Sequence, residues 1–258
     1  MLLKRVSGTS KDKIVTQTEL SKLVLLTNMT FNGLQDEKIQ ITIERNGGKS
    51  ISVHPKPVNL RQYILASTYG QNAICAFPTA HYSGHNMSVV LDLTVAGNVE
   101  LVDSDKIVVE LSNLNEDPDI YYEFRGIQSE DGNGDDSDIY IFEPKVIPDY
   151  EENFNLNVDK YDVCVIPDLN TIREINFTHA LTRQVTKRDP ICLRAEHIDF
   201  DPVGIVYQNG NVRTSDPNFL QLDTDELINI NVVKELTAGQ NIDVLFRKSV
   251  SQAQLGLK

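Results

Sequence analysis

Residues 38–70 read KIQITIERNGGKSISVHPKPVNLRQYILASTYG, and the pattern of this stretch decides the fold. Ile39, Ile41 and Ile43 alternate with Gln40, Thr42 and Glu44, the period of a strand with one buried face. Asn46-Gly47-Gly48 then supplies residues that tolerate positive φ, so the chain reverses. Ile51 and Val53 alternate with serines in a second strand that Pro55 and Pro57 stop. Asn59 is placed to cap a short helix in which Leu60, Tyr63 and Ile64 share a face, and Gly70 ends it.

A similar order of elements recurs about 130 to 135 residues later. IREINFTH (172–179) is strand-like and TRQVTKR (182–188) is basic. Asp189-Pro190 gives an N-cap with proline at the first helical position, with Ile191, Ala195 and Ile198 expected on one face and Asp201-Pro202 closing the helix. NMSVVLDLTV matches NFLQLDTDELINI, and DKIVVELS matches NIDVLFRK, at a comparable offset. Identity is low, so a duplicated architecture rests on order and spacing.

Moving outward, 258 residues suffice for two packed cores, and 40% apolar with 24% charged residues is ordinary for globular chains. No apolar run reaches the roughly 18 residues of a spanning helix, and MLLKRVSGTSKDK lacks the apolar centre of a signal peptide. Synthesis in a cytoplasm follows as the expectation. Cys75, Cys164 and Cys192 are scattered in apolar patterns, which reads as free thiols rather than zinc ligands. The net charge of −13 comes mostly from residues 116–152, whereas Lys4, Arg5, Lys11 and Lys13 make the N-terminus basic. An acidic body argues against direct nucleic-acid binding, which needs cations to displace phosphate counterions. Basic ends leave room for contact with anionic lipid.

The expected organisation is a flexible basic arm over 1–17, a first β domain over 18–145 and a second over 146–258, joined through PKVIPDYEENFN (144–155). Strands are expected at 20–26, 73–77, 87–95, 99–102, 107–111, 120–124, 139–142, 163–166, 172–177, 203–207, 219–222, 227–233 and 242–246. The pieces 120–124 and 139–142 are paired as a hairpin around an acidic loop, Asn209-Gly210 is a hairpin turn, and the tail SVSQAQLGLK is loose. Each half then holds enough short strands for a β-sandwich of jelly-roll type with one short helix, an all-β fold.

Motifs with chemistry are few. GGKS (47–50) lacks the upstream glycine of a phosphate loop and leads into a strand. No G-x-S-x-G elbow is present. His81 and His85 fall in a loop without a third ligand nearby, and His54, His179 and His197 are isolated. In SEDGNGDDSD, Asp131, Asn133 and Asp135 alternate as in the first half of a calcium loop, with Asp138 placed to complete a looser site. Asp136 stands where the sharp-turn glycine belongs and Phe142 where the bidentate glutamate belongs. The loop is therefore either a solvated acidic hairpin or a calcium site. Nothing points to an enzyme.

ERNGGKSISVHPKPVNLRQYILAS, set within two tandem halves each carrying a short helix, resembles the strand, tight turn, strand and helix of double jelly-roll major capsid proteins. The likeness is to the compact versions in tailless, icosahedral, lipid-containing bacteriophages. That resemblance implies a structural virion protein whose homotrimers form pseudo-hexagonal capsomers of a shell over an internal membrane. It implies self-association, neighbouring capsid or vertex proteins as partners, termini facing the membrane, and no catalytic residues to transfer. Some members carry tower-forming loops, for which this chain has almost no room. The other reading from the residues is a tandem β-sandwich binding carbohydrate or protein, with calcium at the acidic loop and tyrosines such as Tyr121, Tyr122 and Tyr140 as platforms.

Overall fold

The computed structural model describes residues 1–46, 48–69, 74–76, 84–102, 104–130, 138–167, 169–197, 206–208, 211–213 and 219–257. Apart from Gly47 and Gly70, which lie outside the described residues, the quoted stretch folds as its pattern requires. Strand β4 (Lys38–Glu44) buries Ile39, Ile41 and Ile43 and pairs antiparallel with β5 (Ile51–Ser52), Ile43 facing Ile51. Val58–Asn59 forms β6, which also pairs with β4, and helix α1 spans Leu60–Ser67.

Around this unit lie β1 (Leu2–Ser7), β2 (Lys11–Thr16), β3 (Lys22–Thr27), β7 (Ile74–Ala76), β8 (Met87–Asp92), β9 (Lys106–Ser112) and β10 (Tyr121–Ile127). They form two sheets in the orders β1-β10-β3-β8-β7 and β2-β9-β4-β5. The second half contains β11 (Asp138–Ile147), β12 (Asn153–Asn157), β13 (Val163–Pro167), β14 (Ile172–His179) and β15 (Val185–Arg188). Helix α2 (Pro190–His197), the small hairpin β16 (Val206–Gln208) with β17 (Asn211–Arg213), β18 (Phe219–Asp223), β19 (Leu227–Lys234) and β20 (Ile242–Ser251) complete it. Its main sheets run β11-β20-β13-β18 and β12-β19-β14-β15.

Both halves are jelly rolls with one topology. Strand for strand, β1-β10-β3-β8 corresponds to β11-β20-β13-β18, and β2-β9-β4-β5 to β12-β19-β14-β15. In each half the helix comes, in chain order, between the last strand of the second sheet (β5 or β15) and β8 or β18 of the first. Sheet order thus corrects one sequence match. DKIVVELS (β9) corresponds to LININVVK (β19), and β20 to β10. Both β9 and β20 are apolar alternating strands, so composition alone did not separate them.

Inward-facing residues build two cores. Leu23, Leu25, Ile39, Ile41, Val89, Leu91, Tyr122 and Phe124 belong to the first; Cys164, Ile166, Ile175, Ile230, Val232, Val244 and Phe246 belong to the second.

Several expectations need correction. Residues 1–17 are no flexible arm: β1 pairs with β10 and β2 with β9, and Lys4 bridges to Asp12 at 2.5 Å. Alternating charges there mark edge strands with one wet face, a usual protection of sheet edges. A division at 145/146 falls inside β11, which pairs with β20 along its whole length, Pro144 opposite Leu245. Pro144 is tolerated because β11 is the edge strand of its sheet and within that sheet pairs only with β20. The expected linker is therefore the end of β11, a turn and the start of β12. Segments 120–124 and 139–142 do not pair as a hairpin: β10 lies between β1 and β3, and β11 joins the second half. Residues 99–102 are not a strand. The tail is not loose, since β20 runs to Ser251 and Leu257 is buried in the first core. The Asn209-Gly210 turn lies outside the described residues, although the pairing of Gln208 with Asn211 brackets it.

Candidate functional site

Helix α1 is buried on every side. Asn59 caps it, its side-chain oxygen accepting the Gln62 N–H at 3.2 Å. An eight-residue helix with no wet face must be enclosed by two partners. One is its own jelly roll, through β4 and β8; the other is the second jelly roll, through β13, β18 and β20. The helix is a wedge between the halves, and polar side chains bond across the seam around it.

Gln62 donates its amide to two second-half carbonyls, Val165 at 3.0 Å and Asp243 at 2.8 Å. Arg61 lies between rings from both halves, 5.2 Å from Phe31 and 5.4 Å from Phe219. At the other end of α1, Arg247 of β20 donates to the carbonyls of Ala66 at 2.9 Å and Ser67 at 3.2 Å, satisfying groups that a helix C-terminus leaves open. The same guanidinium is held by Asp162 at 2.8 and 3.0 Å and lies 4.7 Å over Tyr140. Val163, Val165 and Leu245, on the outer face of the second-half sheet, are completely buried in the first core.

Strand β11 stitches the seam further. Phe142 N–H donates to Val53 at 2.8 Å and Tyr140 N–H to Leu93 at 3.0 Å, while Ile147 reaches the second core. Gln252 returns from the tail to bond Asn98 at 2.9 Å and Glu100 at 2.8 Å. Beside α1, His54, Tyr63 and Phe142 pack ring on ring at centroid separations of 4.6, 4.7 and 5.5 Å. Neither ring nitrogen of His54 has a hydrogen-bond partner, and burial pushes its pKa down to about 3. Burial likewise pushes the Tyr63 hydroxyl well above its usual range, with Asp92 adding to the effect.

Helix α2 is set differently. Asp189 caps it, accepting the Ile191 N–H at 2.7 Å, as its sequence predicts. The expected apolar face does not turn inward: Ile191 is 72% exposed, whereas Pro190 and Leu193 are buried. The side chain of Ala195 and residue Ile198 lie outside the described residues.

Of the expected calcium ligands, Asp131, Asn133 and Asp135 lie outside the described residues. Asp138 opens β11, where its carbonyl accepts the Val95 N–H at 2.9 Å. Among the described residues no three His, Cys, Asp or Glu side chains gather as a metal site. His81 lies outside the described residues; His85 bonds the Tyr121 hydroxyl, and His179 bonds Thr186 at 3.1 Å. Cys164 is buried, which pushes its thiol up, and Cys192 is exposed. Sequence reasoning missed Gln62, Arg247 and Asp162. The one available signal was Arg247, a cation interrupting the apolar run of VLFRK.

No protein-family model matches the chain, and no curated protein matches it in sequence. Solved structures do match in fold. The STIV major capsid protein aligns with a TM-score of 0.53 at 11% identity, over 97% of this chain and 94% of that one. A chain from the atomic structure of Sulfolobus turreted icosahedral virus gives 0.55 at 11%, over 97% and 90%. The major capsid protein P2 of bacteriophage PM2 gives 0.50 at 8%, over 97% and 94%. The chain shares with them, end to end, the fold of two jelly rolls.

Proposed function

We propose that this chain is a structural virion protein: a major capsid subunit whose trimers form pseudo-hexagonal capsomers of an icosahedral shell built over an internal membrane. The observation that supports it is the fusion of two jelly rolls of identical sheet order along a buried seam, in a fold shared over 97% of the chain with capsid proteins. A chain made of two like modules contributes two members to a ring of six when three copies close head to tail. The function lies in self-complementary surfaces and needs no catalytic group. Its partners are copies of itself and other proteins of the shell. Membrane contact through basic termini is left out of the proposal, because Lys4, Lys13, Arg247 and Lys248 are engaged in ion pairs within the chain.

Light scattering after size exclusion tests this. The expected mass is three times the 29.0 kDa of the chain. A particle that stays monomeric at all accessible concentrations would overturn the proposal.

A further inference from the structure

The two helices occupy equivalent places but unequal surroundings. Their caps, Asn59 and Asp189, align the positions that follow: Leu60 with Pro190, Arg61 with Ile191, Gln62 with Cys192, Tyr63 with Leu193. The first and fourth positions are buried in both helices, because they face each helix's own jelly roll. The second and third differ. Arg61 and Gln62 are buried against the second jelly roll, whereas Ile191 is 72% exposed and Cys192 is exposed. The positions that α1 uses to hold the next jelly roll are, on α2, bare and apolar. Leu181 and Val185, in the hairpin just before α2, are exposed as well.

The receiving surface shows the same asymmetry. In the second half, the outer face of β13 and β20 carries Val163, Val165 and Leu245, all buried under the first half. Through the ladders, Val163 opposite Asp223 and Arg247 matches Lys22 opposite Asp92 and Ile127. Val165 therefore corresponds to Val24. On this first-half face Val24, Leu26 and Val90 are only half-buried, and Ile127 is exposed. Its charges are already satisfied locally, Lys22 by Asp92 at 2.9 Å and Arg125 by Glu123 at 2.6 Å. An apolar knob can cover it without stranding a charge.

We infer that α2 of one copy docks, through Ile191 and Cys192, on the outer face of β3, β8 and β10 in the next copy, repeating between chains the seam that α1 makes within one. The contact is heterologous: each copy offers α2 at one end and the β3 face at the other, so copies join head to tail until the ring closes. The occupant is a second copy of this chain, because the seam already built here shows which surface such a helix fits. The inference rests on the capsid-subunit reading and adds its interface.

The test compares the wild-type chain with Ile191→Glu, Val24→Glu and a control, Val15→Glu, on the exposed face of β2 in the other sheet. Oligomer mass is read against concentration by light scattering, with circular-dichroism melts to check folding. A charge at the centre of an interface is expected to weaken trimerisation at least about a hundredfold, so Ile191→Glu and Val24→Glu dissociate while the control does not. Ile191 is exposed in the single chain, so its melt should match wild type at dilutions where both are monomeric. As a second readout, Val24→Cys treated with a short bismaleimide should couple to native Cys192 of a neighbour, giving covalent dimers and trimers that the wild type does not form. Trimers that persist in Ile191→Glu, without cross-linking through Val24→Cys, would overturn this interface and leave the capsid reading standing. So would a Val15→Glu control that dissociates equally. A monomeric wild type would overturn both.

Discussion

Replacing Arg247 with Met tests whether the seam couples the two jelly rolls. The substitution keeps an apolar stem that can still lie along Tyr140, and it removes the guanidinium. Three things are lost. The ion pair with Asp162 disappears, and the carbonyls of Ala66 and Ser67 lose their donor where α1 ends inside the protein. Removing one partner of a buried pair costs about 3–5 kcal/mol, and an unpaired buried carbonyl about 1–3 kcal/mol. Asp162 is 31% exposed and can rehydrate, which puts the expected loss near the lower end, about 3 kcal/mol. For a chain of this size that corresponds to a melting point lower by roughly 6–12 °C. Urea unfolding followed by tyrosine fluorescence measures it, since the chain has 9 tyrosines and no tryptophan. Lys106→Met is the comparison: its pair with Glu44, at 3.6 Å with both side chains 40% exposed, should contribute no more than about 0.5 kcal/mol. If Arg247→Met loses less than about 1 kcal/mol, the seam does not depend on this clamp and the reasoning fails.

Three further outcomes follow from the same structure. His54 has a native pKa of about 3 against about 6.5 when unfolded, so the unfolded chain gains a proton first as pH falls. The stability that neutral His54 provides is complete above pH 6.5 and drains away between 6.5 and 3, about 2 kcal/mol of it from pH 7 to 5. His54→Phe should remove that part of the pH slope in urea titrations, and an unchanged slope would refute the assignment. At Gly126, an added Cβ would meet Leu20 at 2.6 Å inside the first core, so Gly126→Ala should lose about 1–3 kcal/mol in the same assay, with a neutral result counting against the packing. Asp189→Ala removes the cap of α2 and should lose about 1 kcal/mol of stability while weakening trimers, whereas a melt and mass profile identical to wild type would show the cap to be idle.

Strand identity was legible where one face is wet. The alternation of Ile39, Ile41 and Ile43 gave β4, Asn59 and Asp189 gave both helix starts, and repeated spacing gave two halves. Connectivity was not. A jelly roll pairs strands far apart in the chain: β1 meets β10 more than a hundred residues on, and β11 meets β20 at a similar distance. Local pattern favours neighbours, which is why residues 120–124 and 139–142 read as a hairpin. Polar-looking termini read as loose for a related reason. Lys4 and Lys13 sit on the outer face of edge strands, and Gln252 is buried because two first-half backbone groups need its amide. Whether such a residue is wet depends on a partner that the local sequence does not name.

The seam residues carry the sharpest version of that limit, and also explain it. Arg61 and Gln62 are polar residues on a completely buried helix, which a hydrophobic pattern reads as the wet side. Their burial is acceptable because the acceptors arrive in the same chain: the carbonyls of Val165 and Asp243 are present whenever Gln62 folds. Directional bonds of this kind fix one register between two jelly rolls that share a sheet order and could otherwise be packed in several ways. A contact between separate chains faces a different constraint. Until it forms, its surface stands in water, where a buried-type amide gains nothing but an isoleucine costs little at a single exposed position. Once it forms, apolar area leaving water drives it without leaving donors unpaired. Ile191 where α1 has Arg61 is the substitution that this difference calls for, while Val24 keeps the valine that β13 carries at Val165.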